Sequence, residues 1–133
     1  MEQKKKTSIL ILDDEPIVVR RLKSALEKVG YEVEIFTQSV KAIERVQEKS
    51  FDIVITDLKM EGPDGMHFLT MVKERWPRTE VIVITGFATT ETTKESFQKG
   101  VFDFLAKPFR IAEIQDAVQR AEEKIKAGAN RRD

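Results

Sequence analysis

The sequence lacks cysteine altogether and contains few of the residues that interrupt regular structure. None of its 133 residues is cysteine, six are glycine and four are proline. The absence of cysteine excludes disulfides, thiolate metal sites and thiol catalysis, and it fits a reducing compartment. We therefore expect a cytoplasmic protein, with a chain long enough to be held together by a hydrophobic core.

The sequence also lacks an excess of one charge and any long hydrophobic run. Lysine and arginine total 23, as do aspartate and glutamate, so no overall positive field attracts nucleic acid. The charged residues 1–6 precede only a short apolar run from Ile9 to Leu12, which fits neither a signal peptide nor a membrane span. We predict that residues 1–6 are a solvated lead-in and that this chain contacts neither nucleic acid nor a membrane.

Short apolar runs alternate along the chain with amphipathic segments. The runs predict five strands, at Ser8 to Leu12, Tyr31 to Phe36, Phe51 to Asp57, Val81 to Ile84 and Val101 to Leu105. The segments predict five helices: the first begins at Pro16, Ser39 caps the second, and the others begin at about Met66, Thr89 and about Ile111. The fourth helix has the weakest apolar pattern, with Ala88 and Phe97 as its inward candidates.

This alternation predicts one α/β domain with a parallel sheet and helices on both faces. The run Ile53 to Ile55 is β-branched throughout, which is typical of a strand covered on both sides. We place the domain at residues 7–126 and interpret residues 127–133 as a tail or the start of a linker.

Polar side chains stand where several predicted strands end. Asp13 and Asp14 follow the first strand, Asp57 the third, Thr85 the fourth and Lys107 the fifth. In a doubly wound sheet of order 2-1-3-4-5 these ends border the crevice where ligands gather. Three carboxylates in one pocket repel one another unless a cation is present, and hard oxygen ligands suit Mg²⁺, with Mn²⁺ as an alternative.

The chain resembles the receiver domain of two-component response regulators. The resemblance runs from Thr7 to about Lys126 and depends on motifs in the family's order. These are Asp13-Asp14 after a hydrophobic strand, Asp57, Pro63-Asp64-Gly65, Thr85-Gly86 and Asp103-Phe104-Leu105-Ala106-Lys107-Pro108. The resemblance implies the flavodoxin-like (βα)5 fold with the strand order given above.

The resemblance also assigns roles to these residues. It implies that Asp57 accepts a phosphoryl group from a sensor histidine kinase, a phosphotransfer protein or a small phosphodonor. Mg²⁺ would be held by Asp14, Asp57 and the backbone carbonyl of Lys59, with Asp13 acting mainly through water. Lys107 and Thr85 would bind phosphoryl oxygens, and the bond between Lys107 and Pro108 would be cis.

In this family a threonine and an aromatic residue act together as a switch. Here they are Thr85 and Phe104, and phosphorylation would alter the surface formed by the fourth helix, fifth strand and fifth helix. Lys59 and Phe87 occupy positions that border the path of hydrolytic water. Neither side chain is suited to activate water, so we expect a slow loss of the phosphoryl group.

The implied partners are the kinase or phosphotransfer protein and a downstream output domain or effector protein. The family also allows a phosphorylation-dependent homodimer. The regions around Ala88-Thr89-Thr90 and Lys107-Pro108-Phe109 are similar to those of receivers attached to ATPase-type transcriptional activators. On this interpretation the chain is not an enzyme, since it would catalyse its own phosphorylation and dephosphorylation and turn over no external substrate.

Three other readings stay open at this point. A Mg²⁺-dependent phosphohydrolase of the haloacid dehalogenase kind also forms an aspartyl phosphate, but it needs Asp-x-Asp after the first strand, where this chain has Asp13-Asp14-Glu15. A pseudo-receiver would be a binding module without phosphorylation. A flavodoxin-like cofactor protein is disfavoured because the acids after the first strand would repel a cofactor phosphate.

Overall fold

A computed structural model describes residues 5–59 and 64–130. Within them, strands alternate with helices along the chain. The strands are β1 (Ser8–Leu12), β2 (Glu32–Phe36), β3 (Ile53–Thr56), β4 (Glu80–Thr85) and β5 (Asp103–Ala106). The helices are α1 (Pro16–Lys28), α2 (Ser39–Glu48), α3 (Gly65–Arg75), α4 (Thr90–Gln98) and α5 (Ile111–Asn130). The strands form one parallel sheet of order β2-β1-β3-β4-β5, which confirms the predicted fold.

Alternate residues of the central strands build two separate hydrophobic cores. On β1, Ile9 and Ile11 face the core formed with α1 and α5, whereas Leu10 and Leu12 face the core formed with α2 and α3. The strands β1, β3 and β4 are buried at every position. This double burial explains their continuous apolar sequences and fixes the register, because a slip of one residue would exchange the two faces.

The helix ends agree with the sequence in part. Gly30 has φ +100°, and its N–H donates to the carbonyl of Glu27, as expected of a glycine that ends a helix. The prediction that Ser39 caps α2 is wrong, since Gln38 occupies the N-cap and Ser39 is the first helical residue. Phe97, predicted to point inward from α4, is 49% exposed, and Ser96 is the buried residue of that helix.

The last helix is longer than its apolar pattern indicated. Its apolar face reaches the core through Ile114, Ala117, Val118 and Ala121, and the helix continues to Asn130. Residues 127–130 are therefore helical, while residues 131–133 lie outside the described part of the chain. In the described ranges, no helix combines the length and apolar character needed to cross a membrane. The division into lead-in, domain and tail stays a prediction.

Candidate functional site at the carboxyl ends of the strands

The ends of β1 and β3 bring three aspartates together. The N–H of Asp57 donates to the carbonyl of Leu12 at 3.0 Å, so Asp57 lies beside the residue that precedes Asp13. Asp13, Asp14 and Asp57 each present a carboxylate oxygen within 4.8 Å of the others. Asp13 and Asp57 are buried and Asp14 is exposed, which gives the group one open side.

The end of β5 adds a cation to this group. The Nζ of Lys107 lies 2.7 Å from Asp13 Oδ2, 2.9 Å from Asp57 Oδ2 and 2.8 Å from Glu15 Oε1. The peptide bond between Lys107 and Pro108 is cis, as the resemblance implied. One ammonium therefore faces three carboxylates, so the described side chains at this point carry more negative than positive charge.

The buried Asp13 and the partly buried Lys107 have displaced pKa values. Burial raises the pKa of the Asp13 carboxyl above its ordinary value, and the hydrogen bond with Lys107 offsets only part of the rise. Burial by itself lowers the pKa of Lys107, but hydrogen bonds with its three carboxylate partners outweigh burial and raise that pKa well above its ordinary value. Lys107 is therefore charged throughout the physiological range.

The donor set fits a hard divalent cation. Asp13 Oδ2 is buried, and the contact that the described residues give it is the ammonium of Lys107 at 2.7 Å. A buried oxygen of this kind, next to an exposed carboxylate that leaves room for water, matches the oxygen ligands and retained waters of Mg²⁺. Asp13, Asp14 and Asp57 are the residues whose carboxylates could hold such an ion.

Both oxygens of the Asp57 carboxylate have partners. Its Oδ1 accepts the N–H groups of Leu58 at 2.6 Å and Lys59 at 3.3 Å, while its Oδ2 faces Lys107. The hydroxyl of Thr56 donates to the carbonyl of Asp57 at 2.9 Å. These contacts fix the orientation of the side chain at the end of β3.

Thr85 ends β4 and is fully buried. Its Oγ1 accepts the N–H of Phe87 at 3.0 Å, and its carbonyl accepts the N–H of Lys107 at 2.8 Å. The Phe87 side chain is 57% exposed and stands next to Lys59, whose Nζ lies 5.6 Å from the centre of the ring. The loops after β3 and β4 therefore meet through the two residues predicted to border the water path.

Phe104 lies in β5, opposite Val83 of β4, and is partly buried against the core formed with α2 and α3. Its side chain is neither fully buried nor fully exposed to solvent. This intermediate state is compatible with the switch role implied for it.

Two important contacts were missed by the sequence reasoning. The sequence assigned Glu15 no role at the site, although its carboxylate reaches Lys107. Gly65 entered only as part of the motif Pro63-Asp64-Gly65, although a Cβ built on it would overlap the carbonyl oxygen of Asp57. The sequence does contain a third consecutive acid, Glu15, and the glycine of Pro63-Asp64-Gly65. Neither feature indicates which residue it contacts. Pro63 lies outside the described residues.

Two other polar residues stand away from this site. His67 is exposed on α3, and its N–H donates to the Asp64 carboxylate that caps the helix. Trp76 is partly buried, and its indole N–H donates to the carbonyl of Val46 at 2.6 Å.

A family comparison agrees with this geometry. The sequence model of the response regulator receiver domain matches residues 9–119. The chain belongs to this family. The DNA-binding transcriptional regulator NtrC of Escherichia coli K12 is 31% identical over 113 residues, which is 85% of this chain and 24% of that protein. This receiver domain thus spans about a quarter of the length of the curated relatives it matches.

Solved structures show the same fold. A response regulator receiver domain from Clostridium thermocellum superposes with a TM-score of 0.85 at 31% identity, covering 91% of this chain and 98% of that one. The solution structure of the beryllofluoride-activated NtrC4 receiver domain dimer gives a TM-score of 0.84 at 30% identity, covering 90% and 98%. Receiver domains of transcriptional regulators are signalling modules and not substrate-turnover enzymes.

Proposed function

We propose that this receiver domain is a phosphorylation-dependent signalling switch. Asp57 receives a phosphoryl group from a sensor histidine kinase or a phosphotransfer protein, and the surface of α4, β5 and α5 changes in response. The observation that carries the proposal is the convergence of Asp13, Asp14, Asp57 and Lys107 at one edge of the sheet. This edge is where a doubly wound sheet places its ligands.

The chemical step is a transfer between two covalent bonds to phosphorus. A carboxylate oxygen of Asp57 attacks the phosphorus atom, the bond from phosphorus to the donor nitrogen or oxygen breaks, and an acyl phosphate forms. The bonding electrons leave with the donor group, and no oxidant or reductant is needed. The hydrogen bonds to Asp57 hold the nucleophile in place, which is the main protein contribution to phosphoryl transfer.

The other site residues receive matching roles. Asp14, Asp57 and the Lys59 carbonyl would hold Mg²⁺, with Asp13 acting through water. The bound ion supplies neutralising charge to the transferring phosphoryl oxygens. Lys107 would pair with a phosphoryl oxygen as a point charge. The Thr85 hydroxyl oxygen accepts a hydrogen bond from the Phe87 N–H, and none of the described residues accepts its proton, which would be donated to the phosphoryl group.

The partners follow from the family and from the matched relatives. We propose that this domain is cytoplasmic, with a sensor histidine kinase or phosphotransfer protein upstream and an output domain or effector protein downstream, and that it contacts neither nucleic acid nor a membrane. The relatives named above support transcriptional output, and the NtrC4 receiver dimer supports a phosphorylation-dependent homodimer. The domain catalyses its own phosphorylation and dephosphorylation.

One experiment tests the central step. Wild type and Asp57→Asn are incubated with acetyl phosphate and Mg²⁺, and their intact masses are measured. We expect one phosphoryl group on wild type and none on the variant, because the amide cannot form an acyl phosphate. An adduct on both proteins would place the phosphoryl group elsewhere, and an adduct on neither would favour the pseudo-receiver.

The same preparation tests the phosphohydrolase alternative. That enzyme would release phosphate continuously from added phosphomonoesters, whereas a switch takes up one phosphoryl group per chain. Asp57 also follows the third strand, and the phosphohydrolase requires its nucleophile directly after the first. Repeated turnover that survived Asp57→Asn would overturn the switch.

A further inference from the structure

Glu15 occupies an unusual position for a glutamate. It is the N-cap residue of α1, where serine, threonine, aspartate and asparagine are preferred because their short side chains can cap the helix. The Glu15 side chain makes no capping hydrogen bond. It extends across the site to Lys107 Nζ at 2.8 Å instead.

The backbone of Glu15 is fixed while its side chain remains accessible. The N–H of Glu15 donates to Asp13 Oδ1 at 2.9 Å, and its carbonyl accepts the N–H groups of Val18 and Val19. The side chain is 59% exposed, compared with 7% for Asp57 and complete burial for Asp13. Lys107 therefore has two buried partners and one partner at the rim of the site.

The two buried partners of Lys107 are also candidate ligands for a metal ion. Asp13 and Asp57 belong to the three-carboxylate group that fits a divalent cation, and each directs its Oδ2 at Lys107. Two cations held by the same few oxygens repel each other. Lys107 must therefore loosen its contacts with these aspartates when the site takes up a metal ion. Glu15 is outside the three-carboxylate group and can keep the ammonium.

We propose that Glu15 is a positioning residue that retains Lys107 at the rim of the site when the aspartates bind a divalent cation. The inference rests on the proposed function and deepens it. Glu15 keeps the ammonium close enough to meet an incoming phosphoryl group, and it spares the aspartate oxygens for the metal. Without Glu15, Lys107 falls back on Asp13 and Asp57 and competes with the ion.

The test is the affinity of the unphosphorylated protein for Mg²⁺ alone, measured by calorimetry. Glu15→Asp keeps the negative charge but is one methylene shorter, and aspartate at an N-cap turns toward the helix, away from Lys107. We expect Glu15→Asp and Glu15→Gln both to weaken Mg²⁺ binding by roughly tenfold, the lower end of the 10–100-fold typical of residues that orient metal ligands. A purely electrostatic role predicts that Glu15→Asp binds like wild type, and this result would overturn the proposal.

The Lys107→Met variant provides a second background, in which a positioning role of Glu15 can be separated from a purely electrostatic one. In Lys107→Met no ammonium competes for the aspartates, so Glu15→Asp should leave Mg²⁺ affinity unchanged there. An equal loss in both backgrounds would overturn the proposal. Glu27→Gln, on the exposed face of α1, is the matched control and should bind as wild type does. Wild type that binds no Mg²⁺ would refute the metal site itself, whereas normal binding in every Glu15 variant would refute only the role of Glu15.

Discussion

Gly65 lies against the backbone of Asp57 with no space for a side chain. A Cβ at this position would overlap the Asp57 carbonyl oxygen and would also lie 2.7 Å from the Cα of Leu58. The N–H of Gly65 donates to the carbonyl of Leu58 at 2.9 Å, which holds the start of α3 against the end of β3. The glycine is therefore required by the close approach of two backbones.

We predict that Gly65→Ala destabilises the fold and shifts the Asp57 loop. The overlap involves backbone atoms, so the cost should reach or exceed the upper end of the about 1–3 kcal/mol usual for overpacking. Urea unfolding measures the loss, and the rate of phosphorylation by acetyl phosphate should fall as well.

Gly128→Ala provides the control for this substitution. Gly128 is helical and has nothing within 4 Å of an added Cβ, so alanine should stabilise the protein by about 0.5–1 kcal/mol. Equal stability of wild type and Gly65→Ala would contradict the close packing of Gly65 against Asp57.

Lys59 and Phe87 meet beside Asp57 and should control the lifetime of the phosphoryl group. A cationic side chain without an acceptor and an apolar ring give an attacking water no group to orient it. We predict that Phe87→Asn and Lys59→Asn each speed hydrolysis several-fold, because an amide can position water. The decay of purified phosphoprotein after donor removal measures the rate.

Phe97→Asn is the matched control for this comparison. Phe97 is an exposed aromatic residue of α4, and its substitution should leave the decay unchanged. Unchanged decay in both Phe87→Asn and Lys59→Asn would refute the role assigned to the pair.

The sequence predicted the convergence of the site but not its contacts. Asp13, Asp57 and Lys107 each follow a recognisable apolar strand, and parallel strands bring their carboxyl ends to one edge. The pairing of Glu15 with Lys107 joins residues 92 positions apart and depends on the shapes of two loops. Apolar periodicity carries no information about loop shape, so this contact could be found only in three dimensions.

At the scale of single elements, edge strand β2 is attached to α2 by ion pairs. Arg45 contacts Glu34 through two nitrogens, at 2.8 and 3.0 Å, and Lys49 contacts the same carboxylate at 3.1 Å. The hydrogen bond from Arg45 lowers the pKa of Glu34 below its ordinary value of 4.5, although partial burial opposes the shift. Charged groups of this kind also protect the open edge of a sheet from pairing with other chains.

This contact should make stability depend on pH in a defined direction. The folded-state pKa of Glu34 is lowered, so its contribution is present above the unfolded pKa of about 4.5 and is lost as pH falls through the folded value. We predict that Glu34→Gln has a slightly lower Tm than wild type at pH 7, and that the difference disappears in more acidic solution. Thermal unfolding across this range measures it.

Glu44→Gln serves as the reference for this series. Glu44 pairs with Lys41 at 4.0 Å, and both side chains are more than half exposed. Such pairs contribute little to stability, so its Tm should follow wild type at every pH. A Glu34→Gln difference that grew as pH fell would show that the sign of the linkage is wrong.

Helix α4 shows where pattern reasoning failed at the level of an element. Its existence was predicted correctly, but its inward face was predicted wrongly, because a sequence dominated by threonine and charged residues has too few apolar positions to fix a helical face. Its start is set by a capping box between Thr89 and Thr92, a local signal independent of the core. Only Ser96 of this helix is buried.

For the whole molecule, burial decreases from the centre of the sheet, next to the two cores and the site, toward the edge strand β5. The strands β1, β3 and β4 are fully buried and hold Asp13 and Asp57, whereas β5 is an edge strand with partly exposed residues. Regions with little buried apolar surface open at the lowest free-energy cost. A change at Asp57 should therefore be transmitted toward α4 and β5 and leave the centre of the sheet unaltered.

We expect the change at Asp57 to reach α4 and β5 through Thr85 and Phe104. A phosphoryl group adds about −1.5 to −2 charge and three acceptors. Moving a switch from mostly off to mostly on takes about 5.5 kcal/mol, which a few charge-assisted hydrogen bonds can supply. We predict that phosphorylation increases amide exchange in α4 and β5 of wild type. Thr85→Val should accept the phosphoryl group but lose the response, because it has no hydroxyl to donate.

Hydrogen exchange read by mass spectrometry, with and without acetyl phosphate and Mg²⁺, measures this response. Asp57→Asn treated in the same way controls for effects of the donor, and β1 provides an internal reference that should not change. If phosphorylated Thr85→Val showed the wild-type response, the signal would not pass through the threonine hydroxyl. Phe104 of β5 lies beside Val83 of β4 and packs only partly into the core. Loss of the response in Phe104→Ala, with phosphorylation retained, would therefore assign the next step of the switch to the aromatic ring.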